Sequence, residues 1–171
     1  MATSRIAALS NASGPHSSGI RIRETNAEDI EEILQHRRLM FLDMGHPEAV
    51  LDVIVESCRP NIQRYLAEGS YRGWFAVTAE GRVAAGVGLL ITPLVSGPLA
   101  PENVNRAYLL NVYTYPEFRK RGLARELTQE AIDYCRAEGF KVLWLHASKY
   151  GRPIYESMGF EATNEMKLII D

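Results

Sequence analysis

Tyr108-Leu109-Leu110-Asn111-Val112-Tyr113-Thr114-Tyr115-Pro116-Glu117-Phe118-Arg119-Lys120-Arg121-Gly122-Leu123-Ala124 carries the pattern on which the topology of the chain depends. From Tyr108 to Thr114 it is an apolar run with the composition of a buried strand. Arg119 to Gly122 make a basic turn containing a glycine. From Leu123 onward, Leu127, Ala131, Ile132 and Cys135 recur on one helical face, up to Gly139. A strand therefore enters a turn with three adjacent cations and passes directly into a helix. The first amides of a helix have no internal acceptor, and the helix dipole places partial positive charge there. A glycine lets a phosphate approach the backbone closely. The combination predicts a phosphate site.

Beyond the helix, Lys141 to Ala147 is a second apolar strand. Strand, helix and strand make a β-α-β unit, which demands a parallel pair with a right-handed crossover. Its turn lies at the carboxyl end of the first strand, where α/β sheets place ligands. Arg152 to Met158 reads as a short helix closed by Gly159. Glu165 to Ile170 reads as a last strand, with Phe160 to Thr163 as a candidate partner. Upstream, Ile20 to Arg23 alternates as a first strand. Thr25-Asn26-Ala27-Glu28 reads as a capping box. The helix after it carries Ile30, Ile33, Leu34 and Arg37 to Phe41, and stops near Gly45. Pro47 opens a second helix through Leu51, Ile54, Ile62 and Leu66, with Pro60 as a break or kink and an end near Gly69. Tyr71 to Thr78 and Arg82 to Ile91 form a hairpin around Ala79-Glu80-Gly81. A loop marked by Pro93, Gly97, Pro98 and Pro101 runs to about Asn105. Early hairpins with one late β-α-β unit predict a mixed sheet of the α/β (α+β) class.

The 171-residue length suits one domain with a substantial core. Charged residues are 23% and the formal net charge is -2, which argues against a general nucleic-acid binder. No apolar run reaches the roughly 18 residues needed to cross a bilayer. Cys58 and Cys135 belong to no CxxC pair or Cys/His cluster, so free thiols in a reducing compartment, the cytoplasm, and no metal are expected. Met1 to Gly19 is rich in Ser, Ala and Gly and lacks periodicity. It reads as a flexible tail before a domain spanning 20–171, with only a faint likeness to a transit peptide in its Arg5 and serines.

Three motifs carry a family resemblance. Arg119-x-x-Gly122-x-Ala124 matches the acetyl-CoA motif (Arg/Gln)-x-x-Gly-x-(Gly/Ala). Thr114-Tyr115-Pro116-Glu117-Phe118 occupies its usual lead-in, and Tyr155-Glu156-Ser157-Met158-Gly159-Phe160 resembles a Tyr-Glu-x-x-Gly-Phe signature. The chain resembles the GCN5-related N-acetyltransferase (GNAT) superfamily from about residue 20 to 171. The resemblance implies a mixed, largely antiparallel sheet of six or seven strands, flanked by about four helices, with a splayed parallel strand pair. It implies acetyl-CoA as co-substrate and a small-molecule or peptide amine as acceptor. A homodimer is common in the superfamily.

The resemblance also implies roles. A bulge in the central strand would aim the Val112 amide at the thioester carbonyl, and Val112 and Thr114 would pair with the pantetheine arm. The amides from Arg121 through Gly122 and Leu123 to Ala124 would hold the pyrophosphate, with Arg119 or Lys120 adding charge and Arg125 reaching the adenosine phosphate. Tyr155 would give a proton or hydrogen bond to the departing thiolate. Two departures stand out. Ser148 and Gly151 replace the family's frequent Asn and Ala before Tyr155. Asn111 stands where many members carry a basic Glu, and Asn cannot take a proton. The base is then a water chain, or Asp43, His46 or His146. His146 alternates with Val142 and Trp144, which also suits a core or groove-lining histidine. The acceptor side is expected around Met40, Asp43 and His46. An active enzyme and an acyl-CoA-binding sensor with little turnover both fit the sequence.

Overall fold

The computed structural model describes residues 19–170, so the expected tail lies outside the described residues except for Gly19. The elements are β1 (Ile20–Glu24), α1 (Ile30–Asp43), α2 (Glu48–Glu68), β2 (Tyr71–Thr78), β3 (Val83–Pro93), β4 (Asn105–Thr114), α3 (Leu123–Ala137), β5 (Leu143–Leu145) and α4 (Arg152–Glu156). The strands form one sheet in the order β1-β2-β3-β4-β5. All neighbours are antiparallel except β4 and β5, which are parallel.

The sheet separates two apolar layers because side chains alternate between its faces. Trp74, Ala76, Val87, Leu89, Ala107 and Leu109 pack with Leu123, Leu127, Ala131 and Cys135 of α3. Tyr71, Phe75 and Val77 pack with Ile33, Leu34 and Ile62 of α1 and α2 on the other face. The β-α-β unit thus puts α3 on one face of the central strands, where Tyr155 of α4 joins the same apolar layer.

The fold departs from the expected elements in several places. The described sheet has five strands, not six or seven. Residues 161–170 take no regular structure, although Glu165 to Ile170 has a strand's pattern. Apolar pattern supplies no hydrogen-bond partner, and Glu165 is held by the Arg106 guanidinium (2.6 Å) instead. The second expected strand, Lys141 to Ala147, shrinks to Leu143–Leu145. The capping box starts one residue later than expected: Asn26 accepts from the Glu28 amide, and Asp29 accepts from the Asn26 amide. The Thr25 amide is already committed to Gly73 O at 2.8 Å. Helix α2 runs through Pro60 without a break. Pro60 and Glu56 are both exposed, so water can reach the carbonyl that loses its partner.

Candidate active site

Strand β4 gains one residue relative to β3. Gly88 faces Leu110 and Gly86 faces Tyr113, so Asn111 and Val112 together oppose Val87. This is a β-bulge, and Asn111 takes the left-handed conformation at φ 52°. The parallel pairing with β5 stops at Leu109 and Leu145, while β4 continues to Thr114. A gap therefore opens between the two strands beside the bulge.

The basic turn closes this end of β4. Lys120 and Gly122 have φ of 63° and 83°. Only glycine adopts the second without strain from a Cβ. The amides of Lys120, Arg121, Gly122, Leu123 and Ala124 have no acceptor among the described residues; pairing resumes with Arg125 N to Gly122 O at 2.9 Å. Free amides at a helix start form an anion cradle. The cations are mostly engaged elsewhere. Arg119 donates to Thr114 O (3.0 Å) and pairs with Asp43. Arg121 donates to Glu117 O (3.0 Å), and Arg125 reaches Ser157 Oγ. Lys120 has no salt-bridge partner among the described residues.

Tyr155 lies on α4, with its side chain 9% exposed and its ring edge on Phe160. Burial pushes the phenol up to about 12, so it stays protonated at working pH. Gly151 has a local reason: a Cβ there would stand 2.9 Å from Tyr155 Cε2. The small residue makes room for the ring. Half-buried Ser148 accepts from the Gly151 amide at 3.1 Å, so its hydroxyl starts this helix. Val112 and Thr114 are half-buried on β4 next to the gap.

The expected acceptor residues divide. Asn111 is 3% exposed and sealed: its Oδ1 accepts from Arg37 Nη1 (3.0 Å) and its Nδ2 approaches Tyr71 Oη (3.4 Å). Burial also pushes the Tyr71 phenol up to about 12. Asp43 pairs with Arg119, and 41% of its side chain remains exposed. Met40 is half-buried in α1, and exposed His46 meets the Phe41 ring edge-on. His146 is no core residue: its side chain is 78% exposed. Its Nδ1 meets the Tyr108 hydroxyl, and its Nε2 lies 3.7 Å from Glu165. Sequence reasoning missed Arg37, Tyr71, Tyr108 and Glu165. Strand register could have found Tyr108, because its partner Trp144 stands two residues before His146. A surface concavity lined by Arg64, Tyr65, Glu68, Thr92 and Asn105 sits at the opposite end of β4 and belongs to no part of this site.

Comparison with known proteins agrees with this geometry. The family model described as an acetyltransferase (GNAT) domain matches residues 21–163. A [ribosomal protein bS18]-alanine N-acetyltransferase of Salmonella typhimurium is 35% identical over 91 residues, covering 51% of this chain and 54% of that protein. Its Escherichia coli K12 counterpart is 32% identical over 93 residues, covering 52% of this chain and 55% of that protein. The chain spans about half the length of these curated relatives. A GCN5-related N-acetyltransferase structure from Ralstonia eutropha JMP134 superposes with a TM-score of 0.85 at 32% identity, covering 89% of this chain and 99% of that one. A predicted acetyltransferase with acetyl-CoA from Clostridium acetobutylicum shares the fold at a TM-score of 0.80 and 21% identity, covering 88% and 96%. A bulged strand leaving its parallel neighbour, a turn of free amides and a matching domain model agree: the chain belongs to the GNAT acetyltransferase domain family.

Proposed function

We infer that this protein is an acetyl-CoA-dependent N-acetyltransferase acting on a primary amine. The observation that carries the reading is the row of free amides from Lys120 to Ala124, placed where the bulged strand parts from β5. The pyrophosphate rests on these amides, with Lys120 adding charge and Arg125 turning from Ser157 to the adenosine phosphate. The pantetheine arm lies in the gap along Val112 and Thr114, with Ser148 beside it. The Val112 amide receives the charge that develops on the thioester oxygen. The amine attacks the carbonyl directly, a C–N bond forms and the C–S bond breaks. The Tyr155 phenol, neutral in its buried setting, gives the departing sulfur its proton. Arg119 serves the turn by fastening it to Asp43 and Thr114.

The relatives named for an alanine of a ribosomal protein make a peptide with a free N-terminal alanine the first acceptor to test. The assay is release of free thiol from acetyl-CoA with that peptide, free amino acids, spermidine and an aminoglycoside. Turnover above hydrolysis with one class is expected. The sealed Asn111, which puts no carboxylate at the bulge, favours a second reading as an acyl-CoA sensor. CoA binding without turnover on any amine would establish that one instead. The free thiols of Cys58 and Cys135 support work in the cytoplasm. The homodimer belongs to the same reading, supported by exposed Leu168, Ile169 and Ile170, and a monomer mass by light scattering would remove it.

A further inference from the structure

The acetyltransfer reading leaves one proton without a destination. An amine that attacks a thioester must lose a proton, and Asn111, at the bulge, has no basic atom and no exposure. We propose that Tyr108, His146 and Glu165 form the relay that takes this proton. Ala107 and Leu109 face the α3 layer, so alternation turns Tyr108 to the opposite face of the sheet. Its pairing with Trp144 is next to last in the parallel ladder. His146 is the first residue of its chain beyond β5, at the mouth of the gap. The α3 side carries the phosphate turn, and Tyr108 stands on the other side of the sheet, one pair before the ladder with β5 ends.

The contacts run in the order a relay needs. The Tyr108 hydroxyl meets His146 Nδ1, and the two rings lie 5.7 Å apart between centroids. His146 Nε2 faces Glu165, whose other oxygen is held by Arg106 Nη2. Arg106 itself lies over the Tyr108 and Trp144 rings. Among the described residues, Tyr108, Glu165 and Arg106 are therefore the titratable groups around the imidazole. Burial raises the Tyr108 phenol, so it works as a neutral hydroxyl and not as a phenolate. The step balances simply. The phenol oxygen accepts the proton of the attacking nitrogen while its own proton passes to Nδ1. Nε2–H then points at the Glu165 carboxylate, which steadies the imidazolium. The exposed imidazole later returns the proton to water. The sulfur receives its proton separately from Tyr155. This assignment rests on the acetyltransfer reading and adds its missing base.

The test is log kcat against pH at saturating acetyl-CoA and saturating acceptor, using the panel amine with the highest turnover. The native protein is expected to show a limb that rises with pH, because the relay must start from an unprotonated Nδ1. His146→Gln and Tyr108→Phe should each lower kcat by about 100-fold, and His146→Gln should erase the limb. The double variant should lose little more, because both act in one relay. Glu165→Ala acts through His146, so it should lower kcat several-fold and leave the KM for acetyl-CoA unchanged. CoA affinity should survive in every variant, and the exposure of His146 makes its replacement tolerable to the fold. A limb that persists in His146→Gln, with native turnover intact, overturns this relay and leaves the acetyltransferase standing. A native protein that binds CoA and turns over no amine overturns both.

Discussion

Tyr155 and Gly122 show how single residues set what the site can do. Burial, with no compensating charge, raises the Tyr155 phenol to about 12. The native rate should then show no fall from loss of this proton up to about pH 10, measured as thiol release in a stabilised pH range. Tyr155→Phe keeps the ring against Phe160 and removes only the hydroxyl. It should lower kcat about 10-fold or more with the melting temperature nearly unchanged. Unchanged turnover would strip Tyr155 of its role. Gly122 differs in kind. A Cβ there meets nothing closer than Glu126 Oε1 at 3.7 Å, so space is no obstacle. The obstacle is φ at 83°, which costs an L-residue about 1–2 kcal/mol. Gly122→Ala should therefore distort the amide row and raise the KM for acetyl-CoA several-fold by steady-state kinetics.

At the scale of elements, β3 and α1 meet through a missing side chain. A Cβ at Gly86 would stand 2.6 Å from His36 Nδ1 and 2.7 Å from the Phe75 ring. Both are buried and packed together, so neither can retreat. Gly86→Ala should cost about 1–3 kcal/mol by chemical denaturation. A neutral result would mean that this contact is looser than described. These elements also show what the sequence makes legible. Helix α3, the turn before it and the hairpin of β2 and β3 follow from local period and glycine position. The bulge does not, because Asn111 and Val112 look like any two strand residues until β3 fixes the register. The Tyr108–His146 contact likewise depends on a pairing between β4 and β5 that no local pattern encodes. The last strand fails for the converse reason, having a local pattern and no partner. Sequence reading also assigned Asp43 to the acceptor, since its bond to Arg119 joins residues far apart in the chain.

Across the whole molecule, two carboxylates fasten the first helical layer to the sheet. Asp29 is held below the usual carboxylate range, first by hydrogen bonds from Arg23 of β1, against the opposing effect of burial. Glu32 is also lowered, first by His36 and then, against burial, by the Tyr115 hydroxyl at 2.9 Å. Groups whose folded values are depressed add stability above their unfolded values, near 3.8 and 4.5. That stability is lost as pH falls through the lower folded values. The denaturation midpoint should be flat near pH 6 and drop steadily below about pH 4.5. Asp29→Asn should start lower and fall less steeply. The bulge in β4 reaches just as far. Before it, odd-numbered Ala107 and Leu109 belong to the α3 layer; after it, even-numbered Val112 does, and Tyr113 meets His36 across the sheet. The inserted residue is a parity switch, and every side chain beyond it depends on the count. Deleting Asn111 would leave composition almost untouched yet swap the two sides of the strand's last turn-ward residues. Such a deletion should harm the protein far more than Asn111→Ala, as a phase error does more damage than a weak note.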